Sequence, residues 1–300
     1  MNYPSFVVLI VLIYKCQSKC VMYDACANLS PLYKGQSPFK AKWQNCEYSG
    51  EPQPVHNQHV MRMFKKLCPS LYNGDDNQAL CCSANQIRIL TKSISEAEAI
   101  IGSCPSCYFN FRNFWCQITC HPDQHRFVQP IEYQLAETNN FSHVLHEYEK
   151  AKQITDFYDD FEEYEQEETE SKHMGYVVSK INVYMNREYL GRLIESCRDV
   201  KLYGSDALQG FCGVPAHMCT PEQYAHHMGL EVEQNPFKMN FILNQTEQKT
   251  LSIHRTRIEQ QQQKEDTVDA LIQPVMPQYF MCNQSFQFGD LDYGSRCSCK

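Results

Sequence analysis

Cys104-Pro-Ser-Cys107 has the spacing of a dithiol redox pair. Cys116, Cys120, His121 and His125, a few residues on, have the types and the compactness of zinc ligands. Either chemistry needs thiols that stay reduced or metal-bound, and a redox pair belongs between a strand and a helix in a cysteine-poor chain. This chain is cysteine-rich: 17 in 300 residues, all but Cys16 lying after a short apolar leader. So many thiols persist only where they oxidise in pairs, so both sets read as disulfide cysteines of a protein folded in a secretory or lumenal compartment.

The leader, residues 1–18, has an apolar core from Phe6 to Tyr14 that is too short to span a bilayer, and it reads as a signal peptide cut after Ser18. The cut removes Cys16 and leaves an even set. Asn-x-Ser/Thr acceptors at Asn28, Asn140, Asn244 and Asn283 fit the same route as glycosylation sites. Residues 19–300 read as one cross-linked domain, because cysteines are dense from Cys20 to Cys120, sparse to Cys197, and resume to Cys299. No later run of eighteen apolar residues appears, so the chain reads as an ectodomain or as part of something larger.

The formal charge of −8 is local in origin: nine acidic residues fall between Asp156 and Glu170. That run repels itself and reads as a solvated inserted loop at about 149–173. A second polar loop reads at about 245–270. Nothing is basic enough for nucleic acid. Gly-x-Ser-x-Gly, His-Glu-x-x-His, a phosphate-cradling glycine loop and a dinucleotide fingerprint are all missing, so no enzyme, cofactor or metal is expected. His226, His227 and the other histidines read as solvated or core groups.

The elements that must position any site are mainly helical. Val60, Met63, Phe64 and Leu67 follow helical spacing, and Ile87, Leu90, Ile94, Ala97 and Ile101 form a clearer stripe. Tyr108, Phe111, Trp115 and Ile118 recur at three and four, with Cys116 and Cys120 one turn apart, so this helix is expected to be stapled twice from one side. Asn186 caps a run through Leu190, Leu193, Ile194 and Cys197, and Thr220-Pro-Glu-Gln223 reads as a capping box closed by Gly229. Ile181 to Met185 alternates and Lys238 to Leu243 is apolar, which adds a small sheet. The fold class is α+β: a disulfide-rich helical domain with a small mixed β-sheet and a deep ligand pocket.

Beyond these readings, Asn45-Cys46-Glu-Tyr-Ser-Gly50, Cys68-Pro69 and Cys81-Cys82-Ser-Ala-Asn-Gln86 stand in sequence with Cys104-Pro-Ser-Cys107, Asn110, Cys116-x-Ile-Thr119-Cys120, Pro122, Gln124 and Phe127. With Cys197-Arg-Asp-Val200, Phe211-Cys-Gly213, Cys219, Asn235-Pro-Phe237 and Cys297-Ser-Cys299, this order resembles the amino-terminal lumenal domain of the Niemann-Pick type C1 sterol-transporter family over essentially the whole mature chain.

The resemblance implies a domain that binds cholesterol or a related sterol between helices and a small sheet. It would take the sterol from the soluble Niemann-Pick type C2 carrier on the lumenal side of late endosomes or lysosomes, with a multi-pass membrane region following. The alternative place is the apical plasma membrane or a secreted fragment. It implies pairs Cys20–Cys81, Cys26–Cys46, Cys68–Cys116, Cys82–Cys120, Cys104–Cys297, Cys107–Cys197 and Cys212–Cys219, leaving Cys282 and Cys299 without their expected partners, as in a truncated chain. It also implies that Asn45 and Gln86 meet the sterol hydroxyl. Leu90, Trp115, Thr119, Ile181 and Phe211 would form walls, and Pro236 and Phe237 the entrance.

Two carboxamides suit that task, since together they accept from and donate to one hydroxyl without adding charge. Neither is expected to support the core, so alanine at either should leave melting near wild type. The chain departs from the family at Met22, where a tryptophan is common, and at Ala25, where a glutamate is; both lie near the hydroxyl end. The alternative reading is a cysteine-rich ectodomain of folate-receptor or Frizzled type, binding a vitamin or a lipidated protein.

Overall fold

The computed structural model describes residues 18–28, 42–138, 173–230, 238–244, 272–281, 286–288 and 291–293. Residues 1–17 of the leader, 149–172 of the acidic loop, the polar loop, Asn140, Asn283, Pro236, Phe237, Cys282, Cys297 and Cys299 lie outside the described residues.

The strands are β1 (Met22–Asn28), β2 (Trp43–Glu47), β3 (Gln53–Pro54), β4 (Ala79–Leu80), β5 (Val128–Thr138), β6 (His173–Asn186), β7 (Lys201–Leu202), β8 (Ser205–Asp206), β9 (Lys238–Asn244), β10 (Phe286–Phe288) and β11 (Leu291–Tyr293). The helices are α1 (Gln58–Leu67), α2 (Ala84–Ile101), α3 (Pro105–Cys120), α4 (Arg187–Cys197), α5 (Ala207–Cys212) and α6 (Pro221–Met228). Among the described residues no helix is long and apolar enough to cross a membrane.

Four of the six helices given above, α1, α2, α4 and α6, begin at a side-chain cap that the sequence offers. Asn57 accepts from Val60 N–H at α1, and Asn186 accepts from Glu188 and Tyr189 N–H at α4. At α6, Thr220 accepts from Gln223 N–H with Pro221 in the first turn. Ser83 and Gln86 close a reciprocal capping box on α2. The expected stripe of α2 is buried throughout, whereas in α1 it is Met61 that enters the core while Met63 is half-buried. Helix α5 ends at Gly213, whose φ of 70° suits glycine; a Cβ there would also meet the His227 ring at 2.6 Å.

Helix α3 is the centre of the fold. It is buried on nearly every side and packs against α2 and α4. It is stapled three times: Cys116 to Cys68 at the end of α1, Cys120 to Cys82 just before α2, and Cys107 to Cys197 at the end of α4. The Cys116 and Cys120 staples are the two expected from one side, and Cys107, nine residues of helix and so about half a revolution from Cys116, adds the third from the opposite side. Cys20–Cys81, Cys26–Cys46 and Cys212–Cys219 also pair as expected. Cys104 is disulfide-bonded too, and its expected partner Cys297 lies outside the described residues.

The sheet has five strands in the order β2-β1-β5-β6-β9, antiparallel except for the parallel β6–β9 edge. It is larger than the two strands legible in the sequence. A further pairing of Cys46 with Val177 joins β2 back to β6, so β2, β1, β5 and β6 close around Ala27, Ala136 and Val177. An irregular strap, 272–281, crosses β6 and α3. Its backbone groups are met by side-chain amides: Asn113 Nδ2 donates to Gln278 C=O at 2.7 Å, while Asn110 accepts from Phe280 N–H and donates to Phe280 C=O, both at 2.9 Å.

Candidate functional site

Strand β1 breaks its pairing with β2 on both sides of Ala25. At the first break Asp24 adopts φ 66°, a left-handed conformation that Asp tolerates better than most residues because its short side chain bonds locally. Here the carboxylate reaches across to α2, accepting from Ser83 Oγ at 2.5 Å and from Asn85 Nδ2 at 3.2 Å. The turn aims the Asp24 N–H at Gln86, whose Oε1 accepts it at 2.8 Å and also accepts Ser83 N–H at 2.9 Å.

Those two bonds fix the Gln86 carboxamide. Both lone pairs of Oε1 are used, and turning the amide over would set N–H against N–H. Nε2 is buried, with no partner among the described residues, on a residue only 4% exposed. An orphaned buried donor costs about 1–3 kcal/mol, so it calls for an acceptor beyond the described residues. Gln44 Oε1 and Tyr224 Oη are orphaned as well, but neither belongs to the expected set.

Asn45 stands opposite Ala25 across the β1–β2 ladder, which brings it to the corner where Asp24 meets Gln86. Its Nδ2 donates to Met22 Sδ at 3.3 Å, with Met22 fully buried, leaving Oδ1 as the acceptor half of the amide. The corner therefore offers one donor and one acceptor. Its nearby carboxylate, Asp24, is spent on Ser83 and Asn85. The Tyr23 phenol beside it is pushed up to about 12, first by burial and then by the Asp24 charge, so it stays neutral.

The expected wall residues sort into two groups. Leu90, one turn beyond Gln86, and Ile181 on β6 are buried in the main core together with Met22. Trp115 and Thr119, one turn apart, are half-buried on the otherwise buried C-terminal half of α3. Phe111 joins Trp115 to Phe211, with ring centroids 6.4 Å and 4.9 Å away. Asn45 and Gln86 are linked through β1 rather than by a bond to each other. Sequence reasoning missed Asp24 and Ser83; the Ser83-x-x-Gln86 spacing of a capping box was the signal for the second.

A separate polar cleft of about 330 Å³ lies between the C-terminal end of α3, Arg126 and the strap residues Gln273 to Gln278. It contains none of the expected residues. His121 lines it, with Nδ1 accepting from Asp123 N–H at 2.9 Å and its pKa held below the usual histidine value by burial. Cys116 and Cys120 are consumed in disulfides, and among the described residues no group of three His, Cys, Asp or Glu is placed to hold a metal.

Residues 17–300 match the family described as the Niemann-Pick C1 N terminus. The chain is similar to NPC intracellular cholesterol transporter 1 of Sus scrofa, 26% identical over 247 residues, which is 80% of this chain and 16% of that protein. It is 30% identical over 180 residues to NPC intracellular cholesterol transporter 1 homolog 1 of Caenorhabditis elegans, covering 59% of this chain and 11% of the relative. Human NPC1-like intracellular cholesterol transporter 1 is 35% identical over 109 residues, 36% of this chain and 8% of that protein. The chain thus spans at most a sixth of the length of these relatives.

Proposed function

Since this chain belongs to the Niemann-Pick C1 N-terminal family, we propose that it binds cholesterol or a related sterol and passes it on for export from late endosomes or lysosomes. The observation that carries this is the orphaned Nε2 of Gln86, whose Oε1 accepts the Asp24 N–H next to Ala25, the ladder partner of Asn45. A sterol hydroxyl would accept from Gln86 Nε2 and donate to Asn45 Oδ1, relieving the buried donor, while apolar burial of the rings supplies most of the affinity. Leu90, Ile181, Trp115, Thr119 and Phe211 form the walls in this reading, with Pro236 and Phe237 at the entrance. Delivery by a soluble sterol carrier of the Niemann-Pick type C2 kind, and onward transfer to a membrane region, complete the proposal.

The relatives' names describe cholesterol transporters, which supports the reading as a transport domain. The test is saturable binding of radiolabelled cholesterol delivered in detergent, with mass spectrometry of lipid extracted from the purified protein. One sterol per chain supports the reading, and no sterol from either source defeats it.

A further inference from the structure

The β5–β6 hairpin has one face that changes character along its length. Tyr133 and Val178 stand opposite each other and belong to the main core, with Val178 fully buried. One step on, the same face carries Leu135 opposite Tyr176, and then Glu137 opposite Met174. Leu135, Tyr176 and Met174 are 53%, 56% and 62% exposed. The other face of the hairpin is closed, since Ala136 and Val177 are buried with Ala27. An apolar face continuous with the core is thus left open by the described residues.

The chain that can cover it starts beside it. Between Thr138 and His173 the sequence offers Phe141, Val144, Leu145 and Tyr148, apolar positions at the i, i+3, i+4, i+7 spacing of one helix face, with Ser142, His143, His146 and Glu147 between them. So short a helix does not hold alone in water, and such a stripe needs a surface to pack on. The lengths agree: residues 141–148 as helix would extend about 11 Å, and the strand from Tyr133 to Glu137 extends about 13 Å. Asn139 and Asn140 are there to turn the chain back, and the 24 residues from 149 to 172 are ample to return it to His173.

We propose that residues 141–148 dock on the face made by Leu135, Tyr176 and Met174, which makes that face an interface within this chain. Two other occupants fit it less well. Three partly exposed side chains offer roughly a few hundred Å², short of the about 800 Å² per partner of a stable dimer. A tethered segment needs less, because it meets the face at an effective concentration on the order of millimolar. A membrane surface is opposed by the nine acidic residues between Asp156 and Glu170, which begin eight residues after Tyr148 and are repelled by an anionic leaflet.

The test is amide hydrogen exchange on the whole mature chain, read at Leu145 to Tyr148 against the intrinsic rate of the same sequence unfolded. Wild type should show slowing of about 10- to 100-fold there, as for a local unit that opens well short of global unfolding. Leu135→Asp combined with Tyr176→Asp should return these amides to within about threefold of the intrinsic rate, while exchange in α2 and α3 stays as in wild type. Both side chains are exposed, so the fold should tolerate the change. If that pair unfolds the chain, Met174→Asp, at the most exposed position of the face, makes the same test. Intrinsic-rate exchange in wild type, or slowing that survives the substitutions, overturns the inference. So does slowing that grows with protein concentration, the mark of a second copy, or that appears only with vesicles of phosphatidylcholine and phosphatidylserine, the mark of a membrane.

Discussion

The Asp24 backbone N–H donates to Gln86 Oε1 at 2.8 Å, across the gap between a bulged strand and the first turn of α2. A left-handed residue on one element thereby decides which way a carboxamide on another must point. It also gives Gln86 a structural duty besides the one proposed for it.

Two duties predict a split between the two alanine variants. Gln86→Ala should lose sterol binding and also about 1–2 kcal/mol of stability, since the Ser83 and Asp24 N–H groups lose their acceptor. Asn45→Ala should lose sterol binding with a stability loss under about 1 kcal/mol, because its one side-chain bond is to a weak sulfur acceptor. Chemical denaturation beside sterol titration separates the two. Near-wild-type stability for Gln86→Ala, as the sequence alone led us to expect, would mean that the clamp carries no load.

Asn110 should behave as core despite its polarity. It grips both backbone groups of Phe280 and donates to Ser196 Oγ at 3.0 Å, entirely buried. Asn110→Ala should cost about 3 kcal/mol by urea denaturation, the scale of breaking a buried hydrogen-bond network. A loss below about 0.5 kcal/mol, typical of surface changes, would show that the strap is held by other means.

Acid should weaken the fold at the C-terminal end of α3. His121 and His125 both have pKa values lowered, chiefly by burial, so the folded protein favours their neutral forms. Folded values below the unfolded 6.5 mean that the unfolded chain binds more protons in that window. Stability from these groups is therefore full above pH 6.5 and is lost as pH falls toward and through the folded values. His121→Asn keeps an acceptor two residues before the Asp123 N–H without a titrating ring, and its melting temperature should fall less between pH 7.5 and pH 5. An identical pH profile in wild type and variant would contradict this.

Deleting Asp156 to Glu170 should leave detergent-delivered sterol binding unchanged. The β5–β6 hairpin is paired as far as Thr138 with His173, so its register is set before the acidic segment begins. Loss of binding would make that segment part of the site.

How much of this was legible varies with how local the cause is. The stripe of α2 and the caps Asn186 and Thr220 depend on neighbours in sequence, and they form as read. The pairings of Cys68, Cys82 and Cys107 were implied by family resemblance and could not be read from spacing. Strands β1, β2 and β5 went unread because bulges break their alternation and their partners are distant in sequence. The roles of Asp24 and Asn110 went unread for the same reason, since the Asp24 N–H meets a side chain 62 residues away and the Asn110 side chain meets a backbone N–H 170 residues away. At the site, the carboxamides and apolar walls came from the motif match, whereas the fixed polarity of Gln86 required coordinates.

The central claim is that a sterol hydroxyl lies between Gln86 and Asn45. The most direct measurement is competition between cholesterol and its 3α-epimer for wild type in detergent. The epimer has the same apolar surface with its hydroxyl misdirected, leaving Gln86 Nε2 orphaned. The account predicts at least about tenfold preference for cholesterol, lost in Gln86→Ala. Equal affinity of wild type for the two epimers would contradict it.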